Sequence, residues 1–308
     1  MHQTYKKIHH LLSQVASLNL RDHPEHDDEF SYQYLSDGLT NENYKITIAR
    51  QHDLAIGQVI DQEQNFVLRI FNPDSKRLGI ERTQERDVMS RVSKLKLSSD
   101  VIFDADDFRL SQWQEGSVWT ADNFGTKVNI NRLVNAIKSL HGLDHGGLVK
   151  MDFLLRISHY KEMISQRHGA LPAIESRLFK QATNIINTKS SNLSCLCHND
   201  LVAANILETK STTQSSLTFL DWEYAAINDP LFELAVICQG NNFSSSQRQY
   251  LLSAYFGDNS YQFIEHLNYW CWLYDYLSLL WGIAILPADL SLPQDVELSC
   301  QKLFDRID

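Results

Sequence analysis

Residues 198–205 read His-Asn-Asp-Leu-Val-Ala-Ala-Asn, and sixteen residues past Asn205 the apolar run Leu217-Thr218-Phe219-Leu220 ends in Asp221. A carboxylate at Asp200, a side-chain amide at Asn205 and a second carboxylate at Asp221 form an oxygen-rich set suited to phosphoryl transfer. In that chemistry one carboxylate orients an attacking hydroxyl and accepts its proton, while other oxygens hold the magnesium that neutralises the migrating phosphate. One loop supplies both parts, since a strand running into Asp221 sets it beside the loop of Asp200 and Asn205. Asp and Asn also make ordinary turns. What separates chemistry from a plain surface hairpin is the aromatic and acidic continuation Asp221-Trp222-Glu223-Tyr224 at the end of an apolar strand.

The elements that must position these groups are readable around them. Residues 1–20 carry Ile8, Leu11, Leu12, Val15 and Leu18 at helical spacing, and the acidic, proline-containing RDHPEHDDEF ends that helix. Three runs of strand formers follow, YQYL, NYKITIA and NFVLRIF. A charged helical pattern covers Ile80–Leu97, and VIFDADDFRLSQWQEG returns to strands around an acidic turn. After that first helix, five strands and one further helix predict a small antiparallel lobe over 1–115. Past a linker at 113–117 the patterns become long and helical, interrupted by SCLCHNDLVAANILE and SLTFLDWEY with the polar TKSTTQSS as hairpin loop. The expected fold class is α+β, with a larger, mainly helical lobe over 116–308 that carries Asp200.

At 308 residues the chain can bury one large core or two packed lobes. Its 28 basic and 38 acidic residues leave a formal charge of -10, which argues against a surface built to neutralise nucleic-acid phosphates. The five cysteines form no Cys-x-x-Cys pair and no clusters at zinc spacing, which predicts reduced thiols in a cytoplasmic protein. No secretory signal is expected at the N-terminus. Leu267–Leu286 is long enough to span a bilayer, but its Asn268, Asp275 and many aromatics predict a buried helix and no membrane partner. His9, His10, His23 and His26 read as surface, and His141 as a cap or core residue.

HNDLVAANIL and LDWEYAAINDPLFELA resemble the catalytic and metal motifs of the choline kinase and thiamine kinase branch of the aminoglycoside-phosphotransferase-like kinases. LSDGLTNENYKI is similar to that family's phosphate-loop strand pair, with Asp37-Gly38 where relatives usually have two glycines. The resemblance runs from Ser36 to Trp281. It implies a two-lobed protein-kinase-like fold, ATP and Mg2+ as cofactors and a small-molecule alcohol as acceptor. Carried over residue by residue, it makes Asp200 the catalytic base with His198 organising its loop. Asn205 and Asp221 become magnesium ligands, and Glu223 supports a second metal or its waters. Arg69 stands where protein kinases place their phosphate-contacting lysine. Its expected partner is Glu85, with Glu81, one turn earlier, as the alternative. Gly38, with Ser36, Thr40 and Asn41, offers backbone amides to a phosphate.

For the acceptor, the resemblance points to the segment NYWCWLYDYLSLLWGIA. Its Leu-Trp-Gly matches the part of choline kinases that gives a tryptophan, here Trp281, to a cage around the ammonium group. Tyr224 matches a second ring, Phe243 stands where a third is expected, and Ala284 replaces a second tryptophan. Aromatic faces and carboxylates hold compact cations well, although core packing accounts for most rings on such a helix. The implied acceptors are choline-like alcohols first, thiamine second, and aminoglycosides or other sugars third. A non-catalytic nucleotide-binding regulator is the rival from another class, and an intact Asp200, Asn205 and Asp221 argue against it.

Overall fold

The computed structural model describes residues 2–18, 30–38, 41–48, 63–210, 215–287 and 295–306. They divide into two compact units, Met1–Ser75 with Ser99–Gln114, and Lys76–Ser98 with Glu115–Asp308.

In the first unit, helix α1 (His2–Leu12) accompanies β1 (Phe30–Gly38), β2 (Asn41–Ile48), β3 (Gln64–Phe71), β4 (Val101–Asp104) and β5 (Phe108–Gln112). The strands form one antiparallel sheet in the order β1-β2-β3-β5-β4. Tyr44, Ile46 and Ile48 alternate inward on β2, as do Phe66, Leu68 and Ile70 on β3, and they bury against Ile8, Leu11 and Leu12 of α1. Period-two alternation sends Arg69 to the opposite face from Leu68 and Ile70. His9 is buried beside Tyr5 and Phe30, not on the surface as its sequence context suggests. The apolar stripe of α1 includes its position.

The second unit begins with α2 (Arg82–Val92). The pattern over Ile80–Leu97 groups this helix with the first lobe, but Val88, Met89 and Val92 bury in the large core of the second unit. It also ends early. A 3-10 turn follows, Lys96 takes a left-handed φ of 57°, and the Leu97 carbonyl accepts a hydrogen bond from the Phe219 amide at 2.7 Å. Part of the expected linker is a strand. β6 (Gly116–Val118) pairs with β8 (Ile206–Lys210), which pairs with β9 (Ser215–Phe219). Gly116 permits this closeness, because a Cβ there would stand 2.5 Å from the Glu208 carbonyl oxygen. β7 (Cys195–Cys197) pairs with β10 (Ala226–Asn228).

Helices fill the rest: α3 (Ala121–Phe124), α4 (Lys127–His141), α5 (Phe153–His168), α6 (Glu175–Thr188), α7 (Pro230–Gly240), α8 (Ser245–Phe256), α9 (Ile264–Ala284) and α10 (Val296–Phe304). α9 buries Trp270, Trp272, Leu273, Tyr276 and Leu280, and Trp272 donates its indole N–H to the Leu303 carbonyl at 2.7 Å. Among the described residues no helix is long and apolar enough to cross a membrane.

Candidate active site

The loop after β7 is held from several directions. Asn199 adopts a left-handed φ of 65°, turning the chain so that Asp200 faces Asn205. The Asn205 amide donates to both the backbone oxygen and Oδ2 of Asp200, each at 2.8 Å. The backbone oxygen of Asn205 accepts from the Leu220 N–H at 2.8 Å, which ties the end of β9 to the same loop. Asp221 follows immediately, itself left-handed with φ 62°. His198 is fully buried, its ring 4.6 Å from that of Trp222 and its Nε2 2.8 Å from the Leu220 carbonyl. Its Nδ1 has no partner and burial holds its pKa down. The ring is therefore a neutral Nε2–H donor that pins the loop to the strand.

The neighbouring acids act on Asp200. Burial, then Asp221, then Glu223 push the Asp200 carboxyl well above the usual carboxylate range, against the lowering effect of Asn205. A cation bound among these acidic side chains would relieve the repulsion that Asp221 and Glu223 exert on Asp200. The donor set fits Mg2+: two hard carboxylates and an amide whose N–H groups are spent on Asp200, leaving its Oδ1 uncommitted. Glu223 is buried and 3.4 Å from Arg82, which also pairs with Glu85 at 2.7 Å. Glu85, three residues on in the same helix, is a partner that spacing offers, but Glu223 is 141 residues away, and that contact escapes the sequence reading.

Glu233 is a second residue that the motifs do not single out. Fully buried in the first turn of α7, it accepts hydrogen bonds from the His198 and Asn199 amides at 2.6 and 3.0 Å. Its signal is chemical: a single carboxylate in the apolar stretch Pro230–Cys238 needs buried donors. Asn228 donates to the Asn199 side chain at 2.8 Å, and Asn199 donates to the Tyr224 carbonyl at 3.0 Å. Glu233→Ala strands two buried N–H groups and is expected to lower unfolding free energy by about 2 to 4 kcal/mol. Glu233→Gln keeps an acceptor and should recover more than half of that loss in denaturant unfolding.

A cavity of about 450 Å³ opens beside Tyr224, lined by Glu81, Asp87, Asp152 and Glu223 against the cations Lys150 and Arg156. The Arg156 guanidinium lies over the Tyr224 ring, 4.7 Å from its centroid. Three phenols sense Asp200. Burial first, and Asp200 among the next causes, raises the pKa of Tyr160, Tyr224 and Tyr274, with Tyr274 pushed up to about 12. Gly240 allows the loop to reach α9 here, since a Cβ would meet Val202 at 2.6 Å and the Tyr274 hydroxyl at 3.2 Å. Trp281 lies seven residues beyond Tyr274, on the same helical face, half-buried with its Nε1 unpartnered. Phe243 is elsewhere, buried against Phe124 with ring centroids 5.6 Å apart. Gly38 and Asn41 close the β1-β2 pairing, and Arg69 lies on β3 opposite Asn43 and Arg109. Thr40 lies outside the described residues.

Comparison with known proteins adds an independent result. A family model described as choline/ethanolamine kinase matches residues 32–276. A LicA homolog of Mycoplasma capricolum is 26% identical over 179 residues, a match that spans 58% of this chain and 68% of that protein. Among solved structures, the choline kinase LicA from Streptococcus pneumoniae superposes with a TM-score of 0.72 at 18% identity, covering 96% of each chain. A Plasmodium vivax ethanolamine kinase gives 0.74 at 13% identity, covering 98% of this chain and 88% of the other.

Proposed function

The chain belongs to the choline/ethanolamine kinase family and is a small-molecule kinase, and from that premise we propose that it transfers the γ-phosphate of ATP to the hydroxyl of a choline-like cationic alcohol. The observation that carries the proposal is the Asp200 carboxylate, fixed by Asn205 at 2.8 Å and crowded by Asp221 and Glu223. Asp200 would receive the hydroxyl and take its proton as the oxygen attacks phosphorus. Asn205 and Asp221 would hold magnesium, with Glu223 supporting. The ion supplies charge neutralisation for the phosphates. His198 and Glu233 keep the loop in place, so Asp200 need not reorganise during transfer. Arg69, Glu85, Gly38, Thr40 and Asn41 are assigned to the nucleotide by family resemblance.

A cationic acceptor agrees with the cavity beside Tyr224, where four carboxylates face two cations. The Tyr224 face, however, already carries Arg156. An ammonium group seated on that ring must compete with the guanidinium, so Arg156→Leu is expected to lower the acceptor KM. Trp281→Ala is expected to raise it by about 3- to 30-fold and to leave the KM for ATP unchanged, the scale of one cation-aromatic contact. Both shifts should vanish for 3,3-dimethylbutanol, the uncharged analogue of choline.

The direct test is turnover of ATP and Mg2+ by the pure protein with choline, ethanolamine, thiamine, streptomycin and 3,3-dimethylbutanol as acceptors. The proposal requires the highest kcat/KM for choline or ethanolamine. A preference for thiamine, the sugar or the neutral alcohol would overturn it.

A further inference from the structure

The phosphoryl-transfer site leaves unused a buried cluster on the strand that feeds it. Cys195 and Cys197 sit two residues apart on β7 and so share one face, with their sulfurs 3.6 Å apart. The His141 Nε2, from the end of α4, is 3.7 Å from the Cys197 sulfur. The three donor atoms lie within 4.8 Å of one another. We propose that His141, Cys195 and Cys197 form a binding site for a thiophilic divalent cation of the Zn2+ class, with the Glu233 carboxylate as its fourth donor.

Geometry supports this. Zinc–sulfur bonds of about 2.3 Å and zinc–nitrogen bonds of about 2.0 to 2.1 Å give tetrahedral edges of about 3.5 to 3.8 Å, which match the two measured separations. Glu233 Oε2 lies 3.6 Å from the His141 Nε2. The other imidazole nitrogen is already held: Nδ1 lies 2.6 Å from the Tyr255 hydroxyl. That outer contact turns Nε2 toward the sulfurs, as in histidines that ligate metals. Neither cysteine is spaced as a Cys-x-x-Cys pair, and the histidine comes from another element, so the cluster exists only in the fold.

Protonation is consistent with a metal-ready pair. Cys197 donation, then His141, against burial, brings the Cys195 thiol down to about 6. Burial opposes charge on His141, yet Cys195 and Glu233 raise it to about 9. Binding M2+ forms two metal–sulfur bonds, one metal–nitrogen bond and one metal–oxygen bond to Glu233, and it releases to solvent whatever protons the two sulfurs and the ligating Nε2 carry, since only thiolates and a neutral imidazole nitrogen ligate. Affinity therefore rises with pH. Glu233 also accepts from the His198 and Asn199 amides, so an ion that draws on this carboxylate acts on the loop bearing Asp200. This last coupling rests on the proposed kinase mechanism; the metal site itself does not.

Reduced, chelator-treated protein titrated with Co2+ tests the site without any assay of activity. One ion per chain is expected, with visible tetrahedral d–d bands and a near-ultraviolet sulfur-to-cobalt charge-transfer band, both lost on addition of Zn2+. Cys195→Ser and His141→Gln should weaken binding by at least tenfold, whereas Cys300→Ser, on α10, should not. Absence of the charge-transfer band in the parent overturns the site whether or not any variant folds. So does its full retention in Cys195→Ser. If the site stands, Zn2+ should inhibit acceptor phosphorylation by the parent more than by Cys195→Ser. Equal inhibition with intact cobalt spectra would reject only the coupling to the loop.

Discussion

Asp200→Asn is expected to fold, to bind magnesium and nucleotide nearly as the parent does, and to lose about 100-fold or more in turnover, the scale of a positioned acid-base group. The substitution preserves local architecture. The Asn205 amide still finds a backbone oxygen and a side-chain oxygen at position 200, as it does now at 2.8 Å. What disappears is the negative charge and the capacity to take a proton. Stability should move the other way. Burial and the neighbouring Asp221 and Glu223 raise the Asp200 pKa in the folded protein, so the folded state binds a proton more tightly than the unfolded chain. Such a group costs stability as pH rises from its unfolded pKa, about 3.9, through its folded value. Asparagine removes that cost. In metal-free buffer the variant should melt at or above the parent's temperature at neutral pH, and the difference should close as pH falls to about 4. A variant with parental turnover would remove Asp200 from the mechanism, and a much lower melting temperature would show that its charge holds the loop together.

How much of this was legible beforehand depends on whether the signal was local. Strands β2 and β3 show themselves through period-two alternation, since one face of their sheet is buried against α1. The motifs at 198–205 and 221–224 are equally local, and the structure brings them together through the Leu220–Asn205 backbone bond. Helix α2 is different. Its sequence gives a helix but not the core it joins, because Val88, Met89 and Val92 suit any apolar surface. The short strand at Gly116–Val118 is invisible for a similar reason: three residues carry no periodicity, and their pairing with β8 is decided by the partner. Glu233, Arg82 and the His141, Cys195 and Cys197 cluster are tertiary facts. Glu233 reaches back to 198 and 199, Arg82 reaches Glu223, and His141 meets Cys197 56 residues on, whereas spacing rules register only neighbours. Phe243 shows the converse limit, since an aromatic at a suggestive position is satisfied here by packing on Phe124.

Asp221 should separate function from stability most sharply. Its φ of 62° is a left-handed conformation, which costs a residue bearing a Cβ about 1 kcal/mol and costs glycine almost nothing. Its charge also adds to the crowding on Asp200. Asp221→Gly and Asp221→Ala both lose the carboxylate, and Asp221→Ala should be less stable than Asp221→Gly by about 1 kcal/mol because it keeps the strained backbone. Neither can ligate magnesium through a side chain. Several kcal/mol of transition-state stabilisation are supplied by such an ion, so both variants should lose about 1000-fold or more in turnover. Their magnesium requirement for nucleotide binding should rise with it. That pattern differs from Asp200→Asn, which should keep a parental magnesium dependence while failing in chemistry. Calorimetric titration of nucleotide at several magnesium concentrations, alongside thermal unfolding in chelator, distinguishes the two. An Asp221→Gly protein with unaltered magnesium dependence would take Asp221 out of the metal site, and one that melts well below the parent would mean that the left-handed turn is held by contacts of the carboxylate worth more than the strain it relieves.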